Sequence, residues 1–399
     1  MGDSEGYRTA MKFKYAKYIK YALLGLLGLS ATYLTWGVAI EPYLIDREEY
    51  VAEIPNLPPA WEGKKVGLIS DMQVGMWFGN TSTIRRIVNQ LVEERPAVVL
   101  ITGDFVYEPG KNPSQELNKV TALVRPLPEA GIPTYAVLGN HDYRLKDSKT
   151  TSQDEKLSTQ VREALEAAGV QVLKNEAVGL ELPGKRVKRT PEENSKSRYP
   201  NTTRDTSPPA PLLQGEGSPT PPFPGREGGV GGLGQPYPSS IGSYPVCTAG
   251  CDRSKGNRAG TKTNETLYLV GIGAHIPKQD KPNVALAQVP EAAPRLVMMH
   301  NPNSFDALPP NTAPLAVAGH THGGQINLLP FGLTPVWFLL TYDEEELVHV
   351  AGWIEDFGKP GNHLYVNRGI GFSRVPIRIN APPELTLFTL GKTTESASR

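Results

Sequence analysis

Five short apolar stretches of this chain each run directly into side chains able to bind a metal ion. Val66 to Ile69 ends in Ser70-Asp71, with Gln73 two residues on, and Ala97 to Ile101 ends in Thr102-Gly103-Asp104. Thr134 to Leu138 ends in Gly139-Asn140-His141-Asp142, Arg295 to Met299 ends in His300, and Leu315 to Ala318 ends in Gly319-His320-Thr321-His322. One such cluster would mean little. In open α/β sheets the carboxyl ends of the strands share an edge where ligands bind, so five clusters at that place can converge in space. Residues two apart in an extended segment point the same way, which lets Asp71 with Gln73, and His320 with His322, present paired ligands to one cavity.

The segments between these strands support that reading. Thr83 to Glu94 places Ile84, Ile87, Val88 and Leu91 at helical spacing, with Thr81 or Ser82 as the expected cap and Pro96 as the stop. Leu157 to Ala168 repeats the pattern with Val161, Leu165 and Ala168 on one face. Leu267 to Val270, Tyr365-Val366 and Glu384 to Leu390 are further strands. Buried strands alternating with helices predict an α/β fold with a mixed sheet. At 399 residues and 39% hydrophobic content, the chain is long enough for a sizeable core.

Carboxylate, amide and imidazole donors together suit Mn, Fe or Zn, and about seven ligands are too many for one ion. Two ions sharing a bridging carboxylate fit the set better. A dinuclear centre performs in-line displacement: a solvent oxygen loses its proton near neutral pH and attacks phosphorus while the ions stabilise developing charge. Hydrolysis of a phosphate ester follows. His141 adjoins Asn140 and can project toward the leaving group to stabilise or protonate it, with Asp142 expected to fix its tautomer.

From Tyr21 to Ile40 the chain carries no charge and is rich in Leu, Ala and Gly, about enough to cross a bilayer. Arg8, Lys12, Lys14, Lys17 and Lys20 precede it, whereas Glu41, Asp46, Glu48 and Glu49 follow. The positive-inside rule then makes 1–20 a cytoplasmic basic segment, 21–40 a single-pass anchor, and the remainder extracytoplasmic. A cleaved signal peptide is the competing reading, disfavoured by the length of the run and the weak Gly37-Val38-Ala39 site. Between about 185 and 262 the chain is rich in Pro, Gly, Ser and Thr without apolar periodicity, which predicts a disordered insertion in a domain spanning 41–390. Both cysteines, Cys247 and Cys251, fall inside it, so no disulfide framework is expected. Residues 391–399 are expected to be a flexible tail. Lys plus Arg and Asp plus Glu both total 41, a balance that gives no reason to expect a nucleic-acid partner.

Asp71-x-Gln73, Gly103-Asp104, Gly139-Asn140-His141-Asp142, His300 and Gly319-His320-Thr321-His322, in this order, resemble the motif set of the calcineurin-like metallophosphoesterases. The apolar segment, Glu41-Pro42, and Asn367-Arg368-Gly369-Ile370-Gly371 before Pro376-Ile377-Arg378 are similar to the membrane-associated bacterial branch. The resemblance implies a four-layered α/β/β/α sandwich. It also implies a first metal held by Asp71, position 73, Asp104 and His322, and a second held by Asp104, Asn140, His300 and His320, with Asp104 bridging. The family usually has His where this chain has Gln73. An amide oxygen is a neutral, harder and weaker ligand than imidazole, which implies that the first site binds its ion less tightly or favours Mn over Zn.

The expected substrate is a phosphomonoester, phosphodiester or pyrophosphate, a lipid-linked one among them, since the anchor holds the site near a membrane. The alternative is a metal-binding scaffold without turnover, because fold never guarantees activity. His275, His349 and His363 lie outside the strand-end clusters, with His275 close enough to one strand to line the cleft. Arg368 and Arg374 are candidates for binding substrate phosphate or for structural contacts with carbonyls.

Overall fold

The computed structural model describes residues 4–110, 112–145, 155–182, 266–327, 350–354 and 359–392, with the side chains of 4–14 left aside. The predicted insertion, both cysteines and His349 lie outside the described residues. In chain order the elements begin with α1 (Ser4–Ala39), β1 (Asp46–Ile54), β2 (Lys65–Ile69), α2 (Thr81–Glu94) and β3 (Val98–Ile101). Then come α3 (Ser114–Val124), α4 (Pro126–Glu129), β4 (Thr134–Ala136), α5 (Glu155–Ala167), β5 (Gln171–Val172) and β6 (Glu176–Leu180). After 183–265 follow β7 (Leu267–Gly271), α6 (Pro282–Leu286), β8 (Arg295–Met298), β9 (Ala316–Ala318), β10 (Gly352–Ile354), β11 (Leu364–Val366) and β12 (Glu384–Lys392).

The strands form two six-stranded sheets, ordered β1-β12-β2-β3-β4-β5 and β10-β11-β9-β8-β7-β6. Alternation along the strands explains how they stack. In β3, Val98 and Leu100 join a core shared with Leu267, Leu269, Leu296 and Met298 of the other sheet. Val99 and Ile101 point the other way, into a core with Ile84, Leu91, Val120 and Leu165 of the helices. On the second sheet Val297 and Met299 likewise turn outward, against Ala285, Leu286 and Phe305. Each sheet thus buries both faces, and the layers are helix, sheet, sheet, helix, the four-layered arrangement that the motif resemblance implied.

The helix α2 forms because its buried stripe of Ile84, Ile87, Val88 and Leu91 covers the first sheet, each side chain contributing about 1.5–3 kcal/mol by leaving water. It ends at Arg95, which takes a left-handed φ of 51° ahead of Pro96. The N-cap is Asn80 rather than the expected Thr81 or Ser82, and its side chain makes no cap hydrogen bond. Its amide nitrogen instead donates to the carbonyls of Pro42 and Ile370, each at 2.9 Å.

At the amino end, Tyr15–Tyr43 is long and apolar enough to cross a membrane, with a mean hydropathy of 1.6. Its last turn is seated on the domain: Arg378 N donates to Gly37 O at 2.9 Å, and Trp36 Nε1 donates to Glu41 Oε2 at 2.8 Å. At the other end, residues 391 and 392, expected in the tail, belong to β12. Gly391 and Lys392 still pair with Glu53 and Ile54 of β1, whose own pairing partners extend β12 to that point.

Candidate metal centre

Strands β2, β3 and β4 run parallel in the first sheet, and β8 and β9 run parallel in the second. Their carboxyl ends therefore deliver Asp71, Asp104, Asn140, His300 and His320 to one edge of the sandwich, and all five are buried there. The turns that present them are tight. Asp71, Gln73, Asp104, His320 and His322 hold φ of 52°, 49°, 55°, 75° and 51°, the left-handed region that ordinary side chains rarely adopt. Gly319 permits this crowding, because a Cβ there would overlap Ser70 Oγ and the Asp71 carboxylate.

Asp104, His300 and His320 each offer one ligand atom, and these atoms lie within 4.8 Å of one another. Asn140 Nδ2 donates to Leu145 O at 2.7 Å, which turns Oδ1 toward His300 Nε2 at 3.1 Å and His320 Nδ1 at 3.0 Å. His300 Nδ1 lies 2.7 Å from Thr102 O and donates to it, which turns Nε2 toward Asn140 and Asp104. Across Asp104, its Oδ2 accepts from Gln73 Nε2 at 2.8 Å, and His322 Nε2 stands 3.5 Å from Asp71 Oδ1. The structure brings all seven expected ligand positions together.

The donor set fits cations. Asp71 Oδ1 and Gln73 Oε1 are buried acceptors that receive no hydrogen bond, a costly state that a bound cation would relieve. Burial lowers the pKa of His322 to about 4, leaving the neutral imidazole that ligation requires. Burial also opposes protonation of His300, but the charge and hydrogen bond of Asp104 outweigh it and raise that pKa to about 9. Asp104 is driven well below the ordinary carboxylate range, its burial overcome by the charges of His300 and His141.

His141 and Asp142 sit beside this set, and their expected link is replaced by two others. His141 Nδ1 lies 3.0 Å from Tyr107 O, and the two rings stack with centroids 5.0 Å apart. The Asp142 carboxylate instead accepts from the backbone N–H groups of Asp104, Phe105, Val106 and Gly139 at 2.9 to 3.3 Å. Four amides converging on one carboxylate hold the turn that carries Asp104, so Asp142 positions Asp104 rather than the imidazole. Burial and the nearby Asp104 charge raise its pKa to about 7.

The remaining arginines and histidines named from the sequence take other partners. Arg378 is fully buried, donates to the carbonyls of Arg368, Gly371 and Ala381, and reaches within 3.4 Å of His322 Nδ1. Arg368 is committed to structure: it pairs with Glu384 at 2.6 Å, Asp46 at 2.7 Å and Glu48 at 3.1 Å. Arg374 is exposed. His275 pairs with Asp280 at 2.7 Å, and His363 uses its backbone N–H on Ala313 O.

Residues 64–211 match the family model for calcineurin-like phosphoesterases. An uncharacterized metallophosphoesterase of Bacillus subtilis is 35% identical over 100 residues, covering 25% of this chain and 31% of that protein. A phosphodiesterase of Escherichia coli is 37% identical over 130 residues, 32% of this chain and 42% of its own length. A UDP-2,3-diacylglucosamine pyrophosphatase of Chlamydia trachomatis is 32% identical over 126 residues, 31% of this chain and 37% of its own length. The chain thus spans less than half the length of each of these relatives.

Proposed function

Starting from a chain that carries a calcineurin-like phosphoesterase domain, we propose that it is a membrane-anchored hydrolase of phosphate esters working at a dinuclear metal centre. The observation that carries this is the gathering of Asp104, Asn140, His300 and His320 on one side, and Asp71, Gln73 and His322 on the other, with Asp104 between them. Bound cations would supply Lewis acidity and make a water molecule acidic enough to attack phosphorus near neutral pH. The amide oxygen of Gln73 in place of an imidazole favours Mn at the first site.

The chain's own groups do the rest. Asp104 accepts the His141 N–H at 2.9 Å through one oxygen, which fixes the carboxylate between the two halves of the centre. Asp71 Oδ2 is held by Ser70 Oγ at 2.5 Å and by His320 N at 2.9 Å, which leaves Oδ1 for a cation. Burial lowers the His141 pKa, and His141 Nδ1–H donates to Tyr107 O, so Nε2 presents a lone pair. That nitrogen can take a proton and return it to the departing oxygen.

The Chlamydia relative acts on a diacylated nucleotide sugar, and a lipid-linked ester or pyrophosphate is the substrate class that suits a domain seated on an apolar helix. The basic residues before that helix keep the N-terminus cytoplasmic and the domain outside. Full-length protein supplied with Mn and an aryl phosphodiester, then with a diphosphate diester, tests the reading. Metal-dependent turnover of either is expected; none on any ester would make the chain a metal-binding scaffold.

A further inference from the structure

Trp77 and Phe78 are 61% and 68% exposed, unusual for large aromatic side chains, and their rings meet edge to face with centroids 5.6 Å apart. Phe78 also holds a φ of 62°, a strained conformation for a bulky residue. Neither core packing nor backbone preference accounts for this outward pair.

The loop that carries them is fixed at both ends. Upstream it leaves the metal centre, where Gln73 N donates to Asp104 O and Val74 N to Phe105 O, each at 2.9 Å. Downstream, Asn80 donates to Pro42 O and Thr83 Oγ1 donates to the same carbonyl at 3.1 Å, while Arg86 donates to Tyr43 O at 2.8 Å. Pro42 and Tyr43 form the turn by which α1 enters the domain. Phe78 lies two residues from Asn80, so no more than about 7 Å of chain separates it from that junction. Trp36, Tyr43 and Leu44 are also exposed there, at 42%, 40% and 46%. Aromatic side chains gathered at the end of an apolar helix are the composition of a membrane–water interface. Beside the loop, Arg85 and Lys119 line a cleft with Gly75, Met76 and Glu116, placing two cations against one carboxylate where lipid phosphates would lie.

We propose that Trp77 and Phe78 enter the interfacial layer of the bilayer crossed by α1, a second membrane contact that holds the mouth of the metal centre at headgroup depth. A phosphoester borne by a lipid then reaches the centre without leaving the membrane, a substrate claim that rests on the phosphoesterase reading, whereas the contact itself does not.

The test uses the full chain in phosphatidylcholine–phosphatidylglycerol vesicles, with and without lipids brominated near the headgroup. Subtracting the fluorescence of Trp77→Phe from that of the unaltered protein isolates Trp77 among the five tryptophans. Bromination should reduce that difference signal roughly two-fold or more, as for an indole in the interfacial layer. An unquenched signal overturns the contact, whether water or another protein copy covers the loop. In the second arm, Trp77→Ser with Phe78→Ser should raise KM about 5–30-fold for a methylumbelliferyl phosphodiester of dioleoylglycerol held in the vesicle. Hydrolysis of a water-soluble aryl phosphodiester should stay unchanged. Equal effects on both substrates would overturn the headgroup-depth claim. Absence of hydrolysis by the unaltered protein would instead remove the phosphoesterase reading and leave the quenching result to decide the contact.

Discussion

Left-handed backbone at five of the seven candidate ligands costs about 1–3 kcal/mol per residue, so the surrounding contacts must over-determine each turn. The centre is accordingly sensitive to small changes that touch no ligand. Gly319→Ala should force the new methyl into Ser70 and Asp71, destabilise the protein by about 1–3 kcal/mol and lower its metal content, read by thermal unfolding and elemental analysis. Asp71→Ala should reduce turnover at least about 100-fold at any metal concentration, a loss of about 2.7 kcal/mol of transition-state stabilisation. Gln73→His should tighten metal binding by exchanging an amide oxygen for an imidazole; a metal titration of activity that does not shift would count against Gln73 as a ligand. The clustering of the candidate positions could be read because each strand runs within a few residues into one or two of them. Asp142 was misread because adjacency to His141 says nothing about which way a buried carboxylate turns, and four backbone amides claimed it. The sequence shows Arg378 only as the end of Pro376-Ile377-Arg378; its role was not legible because the way its buried guanidinium turns among the carbonyls of 368–381 and toward His322 is set only by the folded chain.

Elements with a buried periodic face could be read with little error, and α2 differs from its expected range by two residues. The strand β1 escaped notice, since Asp46-Arg47-Glu48-Glu49 reads as a solvated turn. Its charges are nonetheless used. Arg47 and Lys65 reach Glu94, in the last turn of α2, at 2.8 Å and 2.5 Å, tying that helix to β1 and β2. The hydrogen bonds from Lys65 and Arg47 hold the Glu94 carboxyl below its ordinary value. A carboxyl depressed in the folded state contributes stability above its unfolded pKa of about 4.3, and the contribution is lost as pH falls below that. Glu94→Gln should therefore lower stability by about 0.5–1 kcal/mol at pH 7. The difference from the unaltered protein should shrink toward zero when unfolding is measured in acid, and a constant difference across pH would rule this account out.

For the molecule as a whole, the low-complexity segment joins two strands that are already neighbours. Leu180 of β6 pairs with Leu267 of β7 in an antiparallel register, so the two ends of that segment need only a hairpin turn between them. Replacing 183–265 with a four-residue turn should leave folding and metal-dependent turnover intact. It should also raise stability by up to about 2–3 kcal/mol through the shorter loop closure, measured by denaturant unfolding. Loss of turnover in a folded variant would assign the segment a function. The two-sheet architecture was legible only through the motif resemblance, because strand alternation reveals two buried faces without saying what covers each.

The carboxy-terminal strand β12 occupies the space between β1 and β2, parallel to one and antiparallel to the other. Both of its neighbours are synthesised more than three hundred residues earlier. A ribosome that has reached only residue 383 has produced two facing edges with a vacant slot, exposed and prone to pair with other chains. Assembly of the first sheet must therefore wait until residues 384–392 have been made. A chain cut short before residue 384 would leave the first sheet without its keystone.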